Sequence, residues 1–472
     1  MFKKLLCLLL LASALRASAT LRLPAILGSN MVLQQHATVK LKGWCNAGEK
    51  IEITTSWDNR TQTVNGTGDA TFELPVQTPA AGGPYTITFK GSSTIVLENV
   101  LIGEVWVGSG QSNMEMNQNW GHMPQITEEM ATAHTHPQLR FFTVARHSSA
   151  YPQEDVEGHW VVCDSNNLKS FSAAAYFFGK RLQGALDVPV GLISTNWGGT
   201  PAETWTPDST MKANPDFMES AAKIKPNPWW PGAPARLYNG MIAPLTFLPV
   251  AGVIWYQGES NVDRYAGYEK LFTNMITSWR TGWQQPDLPF YFVQIAPFRY
   301  GTSNQGMLLR EAQAKSTSLP HTGIVITSDI AGDTNDIHPK QKRQVGDRLA
   351  GLALTEVYGK RPAGGVYSPL YKSMRVEKDK AIISFDHAEE GLQIKGKTPL
   401  NLLVAGEDKI FYPATAKVVG NELEVSAKQV KTPVAVRYDF SNTAVGNIFT
   451  KGALPVAPFR TDDWEMEQVA VK

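Results

Sequence analysis

From Leu21 to Val100, apolar and polar positions alternate in short runs. "IEITTSW", "ATFELPVQT" and "PYTITFKG" show the pattern, the last placing Tyr85, Ile87 and Phe89 on one face and Thr86 and Thr88 on the other. Glycine- and proline-rich turns such as "NGTGDA" and "TPAAGGP" separate the runs. A period of two with such punctuation predicts a small antiparallel β region over residues 20–100. Past Gly103 the rhythm changes. "EVWVG", "LRFFTVA", "VPVGLIS", "AGVIWYQ", "PFYFVQIA" and "TGIVITS" are near-continuous apolar runs, as expected of parallel strands buried on both faces. Helical patterns lie between several of them, in "AAAYFFGKRLQGAL", "YAGYEKLFTNMITSWRTGW" and "MLLREAQAKSTSL", and a last helix is expected from Pro339 to about Gly359. This alternation predicts a doubly wound α/β domain over residues 101–360. Alternating strands return in "KAIISFD", "NELEVSA" and "PVAVRYDF", giving a second β region over 361–472. Whether the two β regions join in one sandwich is open at this level.

Length and charge narrow the partners. A chain of 472 residues exceeds what one hydrophobic core usually serves, so two or three domains are expected. Its 44 basic and 43 acidic side chains leave a formal charge of +1, which favours neither nucleic acid nor an anionic membrane. Residues 1–19 carry Lys3 and Lys4, an apolar run from Leu5 to Leu15 and the small triplet Ala17-Ser18-Ala19, the layout of a cleaved secretory signal. That run is too short to span a bilayer, and no later run is long enough, so the expected location is the periplasm or the extracellular space. After cleavage, Cys45 and Cys163 remain, enough for one disulfide at most. Neither a nucleotide cofactor nor a metal is expected. Gly108-Ser109-Gly110 lacks the third glycine of a dinucleotide loop, which would fall at Asn113, and His134 and His136 have no helix-borne glutamate beside them.

Ligands of open α/β sheets bind beyond the carboxyl ends of the strands. Four strand ends here carry polar cargo: Ser109 to Asn113, then "NWGGTPAETW" with Gly198 and Gly199, then Gln257 to Asn261, then "AGDTNDIHPKQK" with Asp333, Asp336 and His338. Together they supply a nucleophile, oxyanion donors, a base and an orienting acid, the parts needed for acyl transfer. Each is weak alone. A serine in a turn before a helix is most often a cap. The glycine pair serves a turn as readily as an oxyanion. His338 before Pro339 reads as a helix start, where the positive helix end would help keep the imidazole neutral. Neither Ser112 nor its rival Ser260 sits in Gly-x-Ser-x-Gly, so an ordinary α/β-hydrolase elbow is absent.

The segments "GQSNMEM", "STNWGGTPAETW", "LYNGMIAPL", "VIWYQGESN" and "DIHPKQKRQVGDRLA", flanked by "LPAILGSNMVLQQ" and "GALPVAPFRTDDW", resemble the sialate O-acetylesterase family of SGNH-type hydrolases over nearly the whole mature chain. The resemblance implies a flavodoxin-like catalytic domain and removal of acetyl groups from carbohydrate hydroxyls through a serine ester, with no cofactor. By motif it implies Ser112 as nucleophile, His338 as base and Asp336 as orienting acid, with the backbone of Ser112 and Gly199 and the Gln257 side chain as oxyanion donors. Asn261 is a second donor candidate. Many SGNH hydrolases carry the acid three residues before the histidine, where this chain has Asn335, so Asp333, Glu259 or a Ser-His dyad stay open beside Asp336. Asn113, Glu259, Asn261, Trp197 and Trp229 are candidates for supporting or substrate contacts; Trp205 and Trp230 are equally ambiguous between stacking on sugar and packing. The implied partner is an O-acetylated carbohydrate, with O-acetyl sialic acid the family expectation. Acetylated xylan or pectin, or a carbohydrate-binding relative without catalysis, are the alternatives; the intact Ser112, Gly199 and His338 set speaks for the enzyme.

Overall fold

A computed structural model describes residues 20–121, 123–301, 304–465 and 470–471. The expected signal segment, residues 1–19, lies outside them. The centre is a sheet ordered Thr322–Val325, Phe290–Val293, Gly252–Tyr256, Thr94–Gly110, Val190–Asn196, Leu139–Thr143 and Trp160–Val162. All neighbours in it are parallel except the last pair. Setting aside the outer Leu139–Thr143 and Trp160–Val162 strands, the order is the flavodoxin-like 2-1-3-4-5. The switch point therefore falls at the carboxyl end of Thr94–Gly110, immediately before Ser112.

The apolar runs form strands because both faces are covered. In Gly252–Tyr256, Val253 and Trp255 enter one core and Ile254 and Tyr256 the other. Trp255 meets Trp205 and Trp279 edge-on, at 5.9 and 5.7 Å between ring centroids. The helix Tyr268–Trp283 covers that face, while Ala173–Leu186 and Lys342–Glu356 cover the opposite one. The expected helices between the strands are present. The last one differs: it begins at Lys342, not Pro339. Asp336 Oδ1 accepts the backbone N–H of His338, which turns the chain locally, and the segment reaches the helix only where Lys342 enters the interior.

The N-terminal β region packs Thr38–Trp44 paired with Thr71–Gln77 against Lys50–Thr55, Arg60–Asn65 and Gly82–Lys90. It joins the central sheet through one strand, since the 17-residue Thr94–Gly110 pairs first with Gly82–Lys90 and then with its parallel neighbours. Residue 100, the expected limit of the β region, thus lies inside a continuous strand. The C-terminal region forms separate sheets with their own core around Ile383, Val404, Leu423 and Val436. No strand of the described residues pairs the two β regions. Cys45 and Cys163 are buried free thiols, and burial pushes Cys163 up to about 12. Among the described residues no helix is long and apolar enough to cross a membrane.

Candidate active site

Gly110 ends the central strand at φ +139°, where a side chain would strike the Tyr256 carbonyl. Only glycine fits this approach, and it turns the chain so that Ser112 opens a short helix, Ser112–Glu115. Gln111 is the cap residue of that helix, and it caps through no side-chain bond. Ser112 is the first helical residue, its N–H lacks an intrahelical acceptor, and the residue as a whole keeps 9% exposure. A capping role does not account for it.

The turn after Val190–Asn196 lies against this serine. A Cβ built on Gly198 would come within 3.4 Å of Ser112 Cβ and 3.5 Å of the Trp120 ring. The turn is held from several sides. Trp197 N–H donates to Gly110 O at 3.1 Å and Gly198 N–H to Glu115 Oε2 at 2.8 Å. Ser260 Oγ donates to Gly199 O at 2.8 Å, which gives the rival serine a structural partner. Gly199 has φ +81°, and an added Cβ there would sit 2.4 Å from Trp230 Nε1.

Gln257 and Asn261 sit beneath the turn. Gln257 is fully buried, and its amide donates to Thr200 O at 3.3 Å and Asn261 Oδ1 at 2.7 Å. Asn261 donates to Glu203 Oε2 at 2.8 Å and accepts from Ala202 N–H at 2.9 Å. Of these two side chains, named above as oxyanion donors, the Gln257 amide nitrogen donates to two protein acceptors and that of Asn261 to Glu203, which ties both to the chain around the turn.

The His338 segment reaches the serine through Asn113, whose Nδ2 donates to Ile337 O at 3.0 Å. His338 is half-buried, its ring edge-on to Trp120 at 5.8 Å. Burial lowers the His338 pKa, the Lys342 charge lowers it further, and Asp336 acts in the opposite sense. The neutral imidazole is therefore favoured by burial and a lysine; the helix start expected to do this lies four residues on. Among the described residues the ring makes no hydrogen bond with Asp336, whose Oδ1 takes the His338 backbone N–H at 2.9 Å. Asp333 is exposed and binds the Asn335 backbone and side chain at 2.9 Å, which holds its carboxyl below the usual range. Glu259 is buried and accepts from Asn113 Nδ2 at 2.6 Å; burial raises its pKa.

Asn113 is wholly buried. Trp205 is also fully buried, a packing residue. Trp229 is 80% exposed, and its carbonyl accepts from Trp197 Nε1 at 3.0 Å, while Trp120, Trp197 and Trp230 surround the turn. Three participants went unnoticed in the sequence: Glu115, Arg146 and Lys342. Arg146 binds Glu115 and lies 5.7 Å from the Trp197 ring. Lys342 donates to Asn113 Oδ1 at 2.6 Å. Its signal was phase: Lys342 shares the helical stripe of Val345, Gly346, Leu349, Ala350 and Ala353, all buried.

A serine at the switch point, a glycine turn against it and a histidine segment bonded to its neighbour define a carbohydrate-esterase architecture. Residues 102–355, more than half of the chain, match the family described as carbohydrate esterase, sialic acid-specific acetylesterase, and the protein belongs to that family. It is similar to a carbohydrate acetylesterase from Xanthomonas citri of known structure, with 34% identity, a TM-score of 0.86, and coverage of 94% of this chain and 100% of that one. It is also similar to the sialate O-acetylesterases of Homo sapiens, 28% identical over 381 residues and 72% of each chain, and of Rattus norvegicus, 26% identical over 535 residues, covering 96% of this chain and 97% of that one. The protein is thus a carboxylic-ester hydrolase whose chemistry is carbohydrate deacetylation.

Proposed function

We propose that this protein is an exported serine esterase that removes O-acetyl groups from sialic acid through an acetyl-serine intermediate. The observation that carries the reading is the convergence at Ser112: the first N–H of a helix, the Gly198-Gly199 turn packed on its Cβ, and the His338 segment hydrogen-bonded to the next residue. In this mechanism Ser112 Oγ attacks the acetyl carbonyl while His338 takes its proton. The N–H groups of Ser112 and Gly199 receive the oxyanion. As the tetrahedral intermediate collapses, the C–O bond to the sugar breaks and the imidazolium protonates the departing alkoxide. A water, deprotonated by His338, then attacks the acetyl-serine and frees acetate. Asp336 holds the His338 backbone and, as a nearby negative charge, stabilises the imidazolium.

Support for an acidic sugar comes from Arg146. Its side chain is 47% exposed beside Trp197 and the glycine turn and is ion-paired with Glu115 through Nε and Nη2, which leaves its remaining N–H groups to meet a sugar carboxylate. Export rests on the basic head, apolar run and small-residue end of residues 1–19, with the periplasm or the extracellular space as destination. The decisive experiment is a mass-spectrometric deacetylation panel of O-acetyl sialosides, acetylated xylo-oligosaccharides and acetylated pectin fragments, with Ser112→Ala as control. Acetate loss from the sialosides that vanishes in the variant is expected. Loss from xylan or pectin fragments alone reassigns the substrate, and loss from none rejects the esterase reading.

A further inference from the structure

Lys342 takes no part in the chemistry above, yet it is fully buried close to the site. Its Nζ donates to Asn113 Oδ1 at 2.6 Å and lies 5.0 Å from the Tyr256 ring centroid. The amide it grips has no freedom of orientation. A lysine only donates, while the Glu259 carboxylate and the Ile337 carbonyl accept, so Asn113 must place its oxygen on Lys342 and its nitrogen on the other two. Asn113 directly follows Ser112, and Ile337 directly precedes His338. One side chain thus spans both halves of the reacting pair, and Lys342 sets which way it faces.

Burying a lysine is costly unless it is paired. Here Glu259 offsets the cost through the Asn113 bridge, and Asp336 adds a second negative charge. An apolar residue at 342 would match its stripe of Val345 and Leu349 better, so helix packing alone does not explain the lysine.

We propose that Lys342 is a positioning residue: through Asn113 it clamps the start of the Ser112 helix to the His338 segment, holding nucleophile and base at reacting distance. This rests on the reading of Ser112 and His338 given above. The charged groups facing His338 are Lys342 and Asp336, and those facing Lys342 are Glu259 and Asp336. Tyr256 and Tyr300 face Glu259 as neutral phenols, both pushed well above their usual range by burial. Burial lowers Lys342 to about 7, so it carries its proton through the acid limb of the rate profile, where His338 titrates.

The test compares Lys342→Met and Asn113→Ala with the unmodified protein, using 4-nitrophenyl acetate as reporter and thermal melting as the check on folding. Both variants are expected to lower kcat roughly 10²-fold, with KM within about threefold, because misplacement penalises the reacting geometry more than binding. The acid limb of kcat/KM should move up by about half a pH unit in Lys342→Met, where a repelling charge is lost, and stay in place in Asn113→Ala, where that charge remains. A folded Lys342→Met with kcat within about threefold of the parent, or with the loss confined to KM, overturns the proposal. In Lys342→Met, where the charge beside His338 is removed, a kcat loss with an unmoved limb also overturns it, since that marks general structural damage. If Lys342→Met does not fold, Asn113→Ala decides alone: the stated kcat loss supports the clamp and an unchanged kcat rejects it. Ser112→Ala run alongside separates the two failures, because activity surviving that change rejects the nucleophile itself.

Discussion

The two halves of the site are held very differently. The glycine turn beside Ser112 is fixed by bonds from the central strand, from Glu115, from Ser260 and from Gln257, most of them inside the protein. The His338 segment is tied by the Asn113 bond to Ile337 O and by its own Asp336 turn, with Asp336 exposed. The contrast fits the two tasks proposed for these halves. Oxyanion donors work by being aimed in advance, so movement there weakens catalysis directly. A base that takes a proton from serine and gives it to an alkoxide needs its ring free to turn between two atoms while its backbone stays clamped.

This contrast can be broken from either side. The largest effect is expected for Ser112→Ala, a fall in kcat of at least ~10⁴-fold with the fold intact, read by stopped ester hydrolysis and circular dichroism. Next comes Gly199→Ala on the rigid half. At φ +81° and against Trp230, an alanine must displace the turn, and a kcat loss of about 10²-fold with little change in KM is predicted. A near-parental kcat would show that the turn is not an oxyanion donor. On the looser half, Asp336→Asn should cost only about tenfold in kcat. Its sign is the sharper test: Asp336 raises the His338 pKa, so its loss lowers that pKa and shifts the acid limb of kcat/KM to lower pH, opposite to Lys342→Met. The smallest effect is at the rim. Arg146→Gln should raise KM for an O-acetyl sialoside several-fold, roughly 1 kcal/mol, while leaving 4-nitrophenyl acetate unaffected. Equal effects on both esters would remove the carboxylate contact.

Much of this was legible in the chain because burial on both faces leaves a direct trace: the runs at 190–196, 252–256 and 290–293 became central strands. Strand order was not legible, since parallel neighbours leave no local record of their register. At the site, Ser112, Gly199 and His338 stood out because each follows a strand end, where topology places ligands. Gln257 and Asn261 carry the same polar signature, yet their partners, Thr200 O, Glu203 and Ala202 N–H, come from a distant loop. Lys342 was hidden by its neighbours. In "KQKR" it reads as one charge of an exposed helix start, and only its phase with Val345 and Leu349 marks it as interior. Pro339 misled for a related reason, because the preference of proline for a first helical turn was overridden by the Asp336 turn and the burial of Lys342.

The single strand Thr94–Gly110 has a consequence for how the protein comes into being. Its first half pairs with Gly82–Lys90, immediately before it in the chain, and its middle with Val32–Gln34, whereas its later parallel partners Val190–Asn196 and Gly252–Tyr256 lie about 90 and 150 residues further on. As the chain emerges from its N-terminus, the β region therefore completes early and presents the bare second half of that strand, with Ser112 at its tip. Val190–Asn196 and Gly252–Tyr256 later pair on its two sides, so the central sheet is built around a strand whose first half already belongs to the N-terminal β region.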